Sequence, residues 1–139
     1  MIKASRLMTA KTFTASGVLK YSTLDTKQYS GFKLTVEGID QGIALLYRSL
    51  IPKAQQAKPT KYPPHISVVR YEKPSNLDSW GAYEGERITF SYDPYVHDDG
   101  VYFWVECNSD RLEEIRAELG LPPHRGSFDS FHMTIGNRK

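Results

Sequence analysis

The sequence has one cysteine, no long apolar run and little net charge, and each of these shortages excludes a class of protein. Cys107 is the single cysteine in 139 residues, so an intramolecular disulfide framework is impossible, and no Cys/His cluster has the spacing of zinc ligands. No apolar run is long enough to span a membrane, and residues 1–17 lack the continuous apolar segment of a signal peptide. We therefore expect a cytoplasmic protein with no membrane partner, in the host cytoplasm if it is viral.

The charge balance limits the possible partners. The net charge is +2 with an isoelectric point near 8.6, which is too mild for a protein that coats long duplex nucleic acid but is compatible with a local positive cleft. The length and the apolar content of 40% fit one globular domain covering residues 1–139. Nothing in the composition predicts an oligomeric state.

Two segments alternate apolar and polar residues with the period of a β-strand. Residues 31–37 read GFKLTVE and residues 101–107 read VYFWVEC, and both contain the pair Val-Glu near the end. Further strands are predicted at 17–22 and 87–92, with the DDG of residues 98–100 as the turn that pairs 87–92 with 101–107.

A helix is predicted after each alternating segment. Asp40 is the expected cap of a first helix, whose apolar residues are Ile43, Leu46, Tyr47 and Leu50. Asn108 or Ser109 caps a second helix that carries Leu112, Ile115 and Leu119 and stops at Gly120.

After each helix the chain repeats one four-residue pattern of histidine, apolar residue, hydroxyl residue and apolar residue, as HISV at 65–68 and HMTI at 132–135. The order strand, helix, strand with this pattern is a duplication, with lobes at about 31–71 and 87–138. The expected fold class is α+β: two βαβ-type repeats with parallel crossovers form a mixed sheet around a central groove, with helices on the outer face.

The histidine and the hydroxyl of each tetrapeptide share a strand face, because side chains two residues apart point the same way. His65 with Ser67, and His132 with Thr134, should then face the groove. Two imidazoles can serve as base and acid in phosphodiester transfer near neutral pH, and two hydroxyls can stabilise the phosphoryl oxygens. This chemistry requires neither a metal nor a cofactor.

The paired motifs resemble those of the 2H phosphoesterase superfamily, with some likeness to a compact phage or viral member. The resemblance covers roughly residues 30–136 and rests on HISV and HMTI. It implies that His65 and His132 are the acid–base pair and that Ser67 and Thr134 bind the substrate phosphate. It also implies a small RNA-like substrate: a nucleotide or short oligonucleotide such as a cyclic oligonucleotide, a 2′-5′ oligonucleotide or a 2′,3′-cyclic phosphate.

The same alternation assigns neighbouring residues to the groove. Possible base or phosphate contacts are Tyr71, Tyr102, Trp104, Lys33 and Arg138. Glu37 and Glu106 share the groove face without an assigned role, and His97 and His124 are interpreted as surface histidines.

Two other functions stay open at this point. A non-catalytic module of the same fold would bind a nucleotide or RNA without turnover, although binding alone does not require a pair of titratable groups. A structural protein would use the repeats only as architecture.

Overall fold

The computed structural model describes residues 12–23 and 31–139, in which alternating apolar residues form strands and capped amphipathic segments form helices. Residues 1–11, which belong to the stretch considered for a signal peptide, lie outside the described residues. The strands are β1 (Phe13–Thr23), β2 (Phe32–Glu37), β3 (Ile66–Arg70), β4 (Arg87–Tyr92), β5 (His97–Asp98), β6 (Tyr102–Asn108) and β7 (Phe131–Asn137). The helices are α1 (Gln41–Leu50) and α2 (Asp110–Glu118).

All strand pairs in this sheet are antiparallel. The order is β4-β1-β2-β3-β7-β6-β5, and an additional pairing of β4 with β6 closes six of the strands into a barrel. The prediction of an α+β fold with a sheet and two helices is confirmed, but the predicted mixed sheet with parallel crossovers is wrong. β2 pairs with β3, and β6 with β7, as antiparallel neighbours.

The helices explain this difference, because each packs mainly on a strand of the other strand–helix–strand segment. α1 contacts β7 and α2 contacts β3. Between the two strands of each pair, the chain therefore forms a helix that packs on the other pair. It then returns and pairs with the strand that preceded the helix. A connection of this kind does not need the right-handed parallel crossover that a helix covering its own strands would favour.

The predicted caps begin both helices. The Asp40 carboxylate accepts a hydrogen bond from the Gly42 N–H at 2.8 Å, and the Ser109 hydroxyl accepts one from the Leu112 N–H at 3.2 Å. Each bond satisfies a backbone donor that has no partner inside the helix. No helix within residues 12–23 and 31–139 is long and apolar enough to cross a membrane.

The core lies between the helices and the sheet, and it corrects the predicted face of α1. Ala44 and Tyr47 are the buried residues of this helix, whereas Leu46 and Leu50 are 57% and 67% exposed. In α2 the predicted apolar residues are buried, as is Leu119 directly after it.

The DDG turn also differs from the prediction. It joins the short strand β5 to β6, and β4 meets β6 further along, at Ser91 opposite Asn108 and Tyr92 opposite Cys107.

Candidate active site

The two tetrapeptides meet at the junction of β3 and β7. Ile66 lies directly opposite Met133 in this antiparallel pair. Continuing this register by one residue in each direction places His65 opposite Thr134 and Ser67 opposite His132. Residues directly opposite each other share a face of the sheet, so all four polar side chains lie on one face. In standard sheet geometry the diagonal pair His65 and His132 is about 7–8 Å apart between Cα atoms.

Burial separates the two faces of these strands. The alternating apolar residues are fully buried at 0% exposure: Ile66, Val68, Met133 and Ile135. The histidines and hydroxyl residues are partly exposed: His65, Ser67, His132 and Thr134. We call the side of β2, β3, β6 and β7 that carries these four residues the motif face. Its histidines are within reach of solvent, and the helices pack on the opposite face.

Each motif strand has an irregularity directly after its hydroxyl residue. In β3, Ser67 is opposite Thr35 and Val69 is opposite Leu34, so Val68 is an extra residue, a β-bulge. In β7, Thr134 is opposite Trp104 and Gly136 is opposite Phe103, which makes Ile135 the extra residue.

An arginine from the other segment's helix binds the carbonyl of each bulge residue. Arg48 Nη1 of α1 donates to the Ile135 carbonyl at 2.8 Å, and Arg116 Nη1 of α2 donates to the Val68 carbonyl at 2.6 Å. Arg116 is fully buried and also binds both carboxylate oxygens of Glu72 at 2.9 and 2.8 Å. The bonds satisfy carbonyls that the bulges remove from the regular ladder.

Sequence reasoning missed both arginines, although a signal was present. They precede the motif histidines by similar intervals, Arg48 before His65 and Arg116 before His132. An arginine on the apolar side of a helix, repeated in both segments, indicates a buried acceptor.

The bulges change which of the residues after each motif lie on the motif face. Beyond Val68 the alternation is reversed, so Arg70, opposite Lys33, takes the position that simple parity gave to Tyr71. Tyr71 has a left-handed backbone with φ of 59°. Its hydroxyl accepts a hydrogen bond from Arg70 Nη2 at 2.9 Å, so Tyr71 supports Arg70.

The same reversal moves Arg138 off the motif face. Asn137, opposite Tyr102, takes its place. The Arg138 guanidinium lies 4.2 Å from the Phe103 ring centroid and binds Asp98 at 2.5 and 2.7 Å, and it also binds Gln55. This contact lowers the pKa of Asp98 to about 2. Arg138 therefore has a structural ion pair where a phosphate contact was predicted.

Both unassigned glutamates lie across from a motif histidine. Glu106 is directly opposite His132, and Glu37 falls opposite His65 when the pairing of Val36 with Ile66 is continued by one residue. Glu37 Oε2 accepts a hydrogen bond from the hydroxyl of Thr35 at 2.6 Å.

His132 is enclosed by aromatic rings. Trp104 stacks on it with ring centroids 5.4 Å apart and an angle of 26°, and Phe128 meets it edge-on at 4.5 Å. Trp104 is also stacked on His97, with ring centroids 5.8 Å apart. The indole therefore contacts two imidazoles, and its contact with a substrate base stays a prediction.

His97 lies in β5 beside this site, and its side chain is 38% exposed, as predicted for a surface histidine. Its Nε2 lies 3.8 Å from Glu106 Oε1. His124 differs from its surface interpretation: its ring meets the buried Phe131 edge-on at 4.9 Å, and its side chain is 14% exposed.

The surroundings set the protonation of His132. Burial, followed by the positive charges of Arg125 and His97, lowers the pKa of His132 below its ordinary value of 6.5, and the carboxylate of Asp129 opposes this in part. The imidazole is therefore neutral at pH 7 and able to accept a proton.

The tautomer of His65 is set by its backbone. His65 Nδ1 lies 3.0 Å from the Pro63 carbonyl oxygen. A carbonyl can only accept, so this bond requires the proton on Nδ1 and leaves Nε2 to exchange a proton with a ligand.

Within the described residues, no group of three or more His, Cys, Asp or Glu side chains could hold a metal ion. Comparison of the chain with family models, curated proteins and solved structures gave no match.

Proposed function

We propose that the protein is a phosphodiesterase that cleaves a small RNA-like phosphodiester by two-histidine acid–base catalysis. The observation that carries this proposal is the pairing of Ile66 with Met133, which gathers His65, Ser67, His132 and Thr134 on one partly exposed face. The finer features expected from the 2H phosphoesterase resemblance are part of the proposal: two repeats, a groove lined by the motif face, and a cytoplasmic location.

The two histidines have different roles in the first step. His132 Nε2 or Nδ1 accepts the proton of a ribose 2′-hydroxyl, because this imidazole is held neutral. The 2′-oxygen bonds to phosphorus, the bond from phosphorus to the 5′-oxygen breaks, and protonated His65 gives its Nε2 proton to that departing oxygen. The products are a 2′,3′-cyclic phosphate and a free 5′-hydroxyl.

The same groups support the hydrolysis of a cyclic phosphate. His65, now neutral, accepts a proton from water as the water oxygen attacks phosphorus, and His132 returns its proton to the leaving 2′-oxygen or 3′-oxygen. The hydroxyls of Ser67 and Thr134 donate hydrogen bonds to the phosphoryl oxygens, which gain charge in the transition state.

A substrate panel tests the proposal. Purified protein is incubated with 2′-5′ and 3′-5′ dinucleotides, cyclic oligonucleotides and nucleoside 2′,3′-cyclic phosphates, with and without EDTA, and the products are identified by mass spectrometry. We expect cleavage of at least one class, insensitive to EDTA. Either His65→Ala or His132→Ala should lower the rate by on the order of 10² to 10⁴.

His124→Gln is the matched control, because this histidine packs on Phe131 and is not one of the four motif residues. Its rate should stay within about tenfold of the wild type. Binding of a panel member without any cleavage would instead favour the non-catalytic nucleotide-binding or RNA-binding module. Activity that EDTA abolishes and a divalent ion restores would contradict the metal-independent mechanism.

A further inference from the structure

Three cations gather beside the motif face, at the end of β3. Lys33 lies directly opposite Arg70, and Arg125 lies in the loop that leads to β7. We call Lys33, Arg70 and Arg125 the cationic cluster. Because of the bulge at Val68, Arg70 is the next residue after Ser67 on this face. The partners of these two residues on β2, Lys33 and Thr35, are two residues or about 7 Å apart.

Arg125 connects this cluster to His132. Its guanidinium lies 6.0 Å from the centroid of Phe128, whose ring contacts His132 at 4.5 Å. Its charge acts on His132, and the charge of Arg70 in turn acts on Arg125. Arg70 is therefore paired with Lys33 on the neighbouring strand and lies within electrostatic range of Arg125, although the three residues come from separate parts of the sequence.

Lysine and arginine side chains near a protein surface are commonly paired with carboxylates. Among the described residues, no carboxylate forms an ion pair with Lys33, Arg70 or Arg125. The negative charge of Glu72 acts on Arg125, but both oxygens of that carboxylate bind Arg116. Arg125 is also partly buried, and a partly buried guanidinium without a paired carboxylate is a ready partner for an anion.

Arg70 is held in place before any ligand arrives. The Tyr71 hydroxyl accepts its hydrogen bond at 2.9 Å, and the guanidinium lies 4.8 Å from the same tyrosine ring. Tyr71 makes these contacts from a left-handed backbone conformation, which costs energy in a residue with a bulky side chain. Preorganisation of this kind reduces the entropy lost on binding.

The corresponding positions at the other end of the motif face are different. Asn137 and Tyr102 stand where Arg70 and Lys33 stand in the first segment. One ammonium, that of Lys139, lies 4.9 Å from the Tyr102 ring. No guanidinium takes the position of Arg70, because Arg138 is bound to Asp98.

We infer that the cationic cluster is a second phosphate subsite, which binds a phosphate adjacent to the one that is cleaved. This inference rests on the proposed function and narrows its substrate class. The preferred substrate then carries at least two phosphates, as in a cyclic oligonucleotide or a phosphorylated dinucleotide. A nucleoside 2′,3′-cyclic monophosphate has only one and leaves the cluster empty.

The kinetic test compares matched substrates. The dinucleotide of the cleaved linkage is prepared without a terminal phosphate, with a 5′-phosphate and with a 3′-phosphate, and kcat/KM is measured for each. One phosphorylated form should be preferred by the wild type. Arg70→Gln should lower kcat/KM for that form by about 10- to 100-fold, the range for a charge-assisted contact, and leave the unphosphorylated form nearly unchanged. Because the charge of Arg125 also acts on His132, the effect of Arg125→Gln is read as a ratio: kcat/KM for the phosphorylated form divided by kcat/KM for the unphosphorylated form should fall by about 10- to 100-fold.

Arg87→Gln is the control for a general loss of positive charge. Arg87 lies on β4, which β1 and β2 separate from β3, and it donates to the Ser16 hydroxyl at 3.1 Å. It should change all three substrates by less than about twofold. Equal losses on phosphorylated and unphosphorylated forms in the two cluster variants would overturn the subsite, as would the absence of any preference in the wild type.

A binding measurement separates the subsite from the catalytic proposal. Inorganic pyrophosphate is titrated into the wild type and the Arg70→Gln, Arg125→Gln and Arg87→Gln proteins, with thermal unfolding to verify that each is folded. Weaker binding only in the two cluster variants supports the subsite even if no phosphodiester is cleaved, in which case the proposed function alone fails. Equal affinity in all four proteins overturns the subsite whatever the activity.

Discussion

Arg48 of α1 donates a hydrogen bond to the carbonyl of Ile135 at 2.8 Å, so the helix of the first segment fixes the bulge beside the hydroxyl of the second. Gly136 makes this approach possible. A Cβ at that position would lie 3.3 Å from the Arg48 side chain and 3.1 Å from the Lys58 carbonyl oxygen. The two segments therefore depend on each other at the site.

Because Arg48 of the first segment binds a carbonyl of the second, Arg48→Met should affect the second segment. Loss of the charged donor leaves the Ile135 carbonyl without this partner and should cost about 1–3 kcal/mol of stability. The imidazole resonances of His132 should shift in NMR spectra, because the bulge follows its motif, while those of His65 should stay in place. A shift confined to His65 would contradict this account.

Arg116→Met should destabilise the fold more. Arg116 is fully buried and holds Glu72 as well as the Val68 carbonyl. Removing it leaves a carboxylate without its main cation and should cost about 3–5 kcal/mol in chemical denaturation. The double variant Arg116→Met, Glu72→Gln should recover part of this loss, whereas Glu72→Gln alone should cost less than Arg116→Met.

The protonation of His132 predicts the pH dependence of the proposed reaction. Its pKa is lowered by burial and then by Arg125, so the low-pH limb of kcat/KM for the ring-forming step should lie below pH 6.5. Arg125→Gln removes a positive charge and should move this limb upward, measured on the substrate without a second phosphate. A limb that stays in place, with His132 followed by NMR titration, would exclude this electrostatic coupling.

The lowered pKa of His132 also makes the folding stability depend on pH, in the range between this pKa and pH 6.5. The unfolded chain binds a proton on this imidazole near pH 6.5, and the folded protein binds it only at lower pH. The contribution of His132 to stability is therefore full above pH 6.5 and is lost as the pH falls through the folded-state value. The pH dependence of unfolding should be weaker in this window in His132→Gln than in the wild type.

Trp104 should orient His132, because it stacks on that ring and on His97. Trp104→Leu should lower kcat with little change in KM, and Trp104→Phe should restore much of the rate. In a Trp80→Phe background Trp104 is the single tryptophan of the chain, so its fluorescence should change with pH as its neighbouring histidines are protonated. A rise in KM with unchanged kcat would indicate that the indole binds substrate instead.

The sequence was sufficient to predict the strands, the caps and the common face of the two motifs, because these depend on local alternation and short-range hydrogen bonds. Assigning residues to a strand face by simple alternation failed beyond the motifs. Simple alternation placed Tyr71 and Arg138 beside the histidines, but one extra residue at Val68 and at Ile135 reverses the order. Those bulges are stabilised by arginines far away in the sequence, and a local pattern carries no information about them.

The strand direction and the orientation of α1 were mispredicted for a related reason. Both depend on which strand a helix covers, and each helix covers a strand of the other segment. Turning Arg48 toward Ile135 brings Ala44 and Tyr47 inward and leaves Leu46 and Leu50 outside. Helical periodicity shows that a helix has an apolar side, but the tertiary partner decides how much of it is covered.

The inequality between Lys33–Arg70 and Tyr102–Asn137 has a consequence for any chain-like ligand. A site made of two equal halves would bind such a molecule in either of two opposite strand directions. The scissile bond could then face either histidine in the same way. Different side chains at the two ends remove this ambiguity. The polarity of the bound strand, and with it the choice of the oxygen that leaves, is then decided outside the four motif residues.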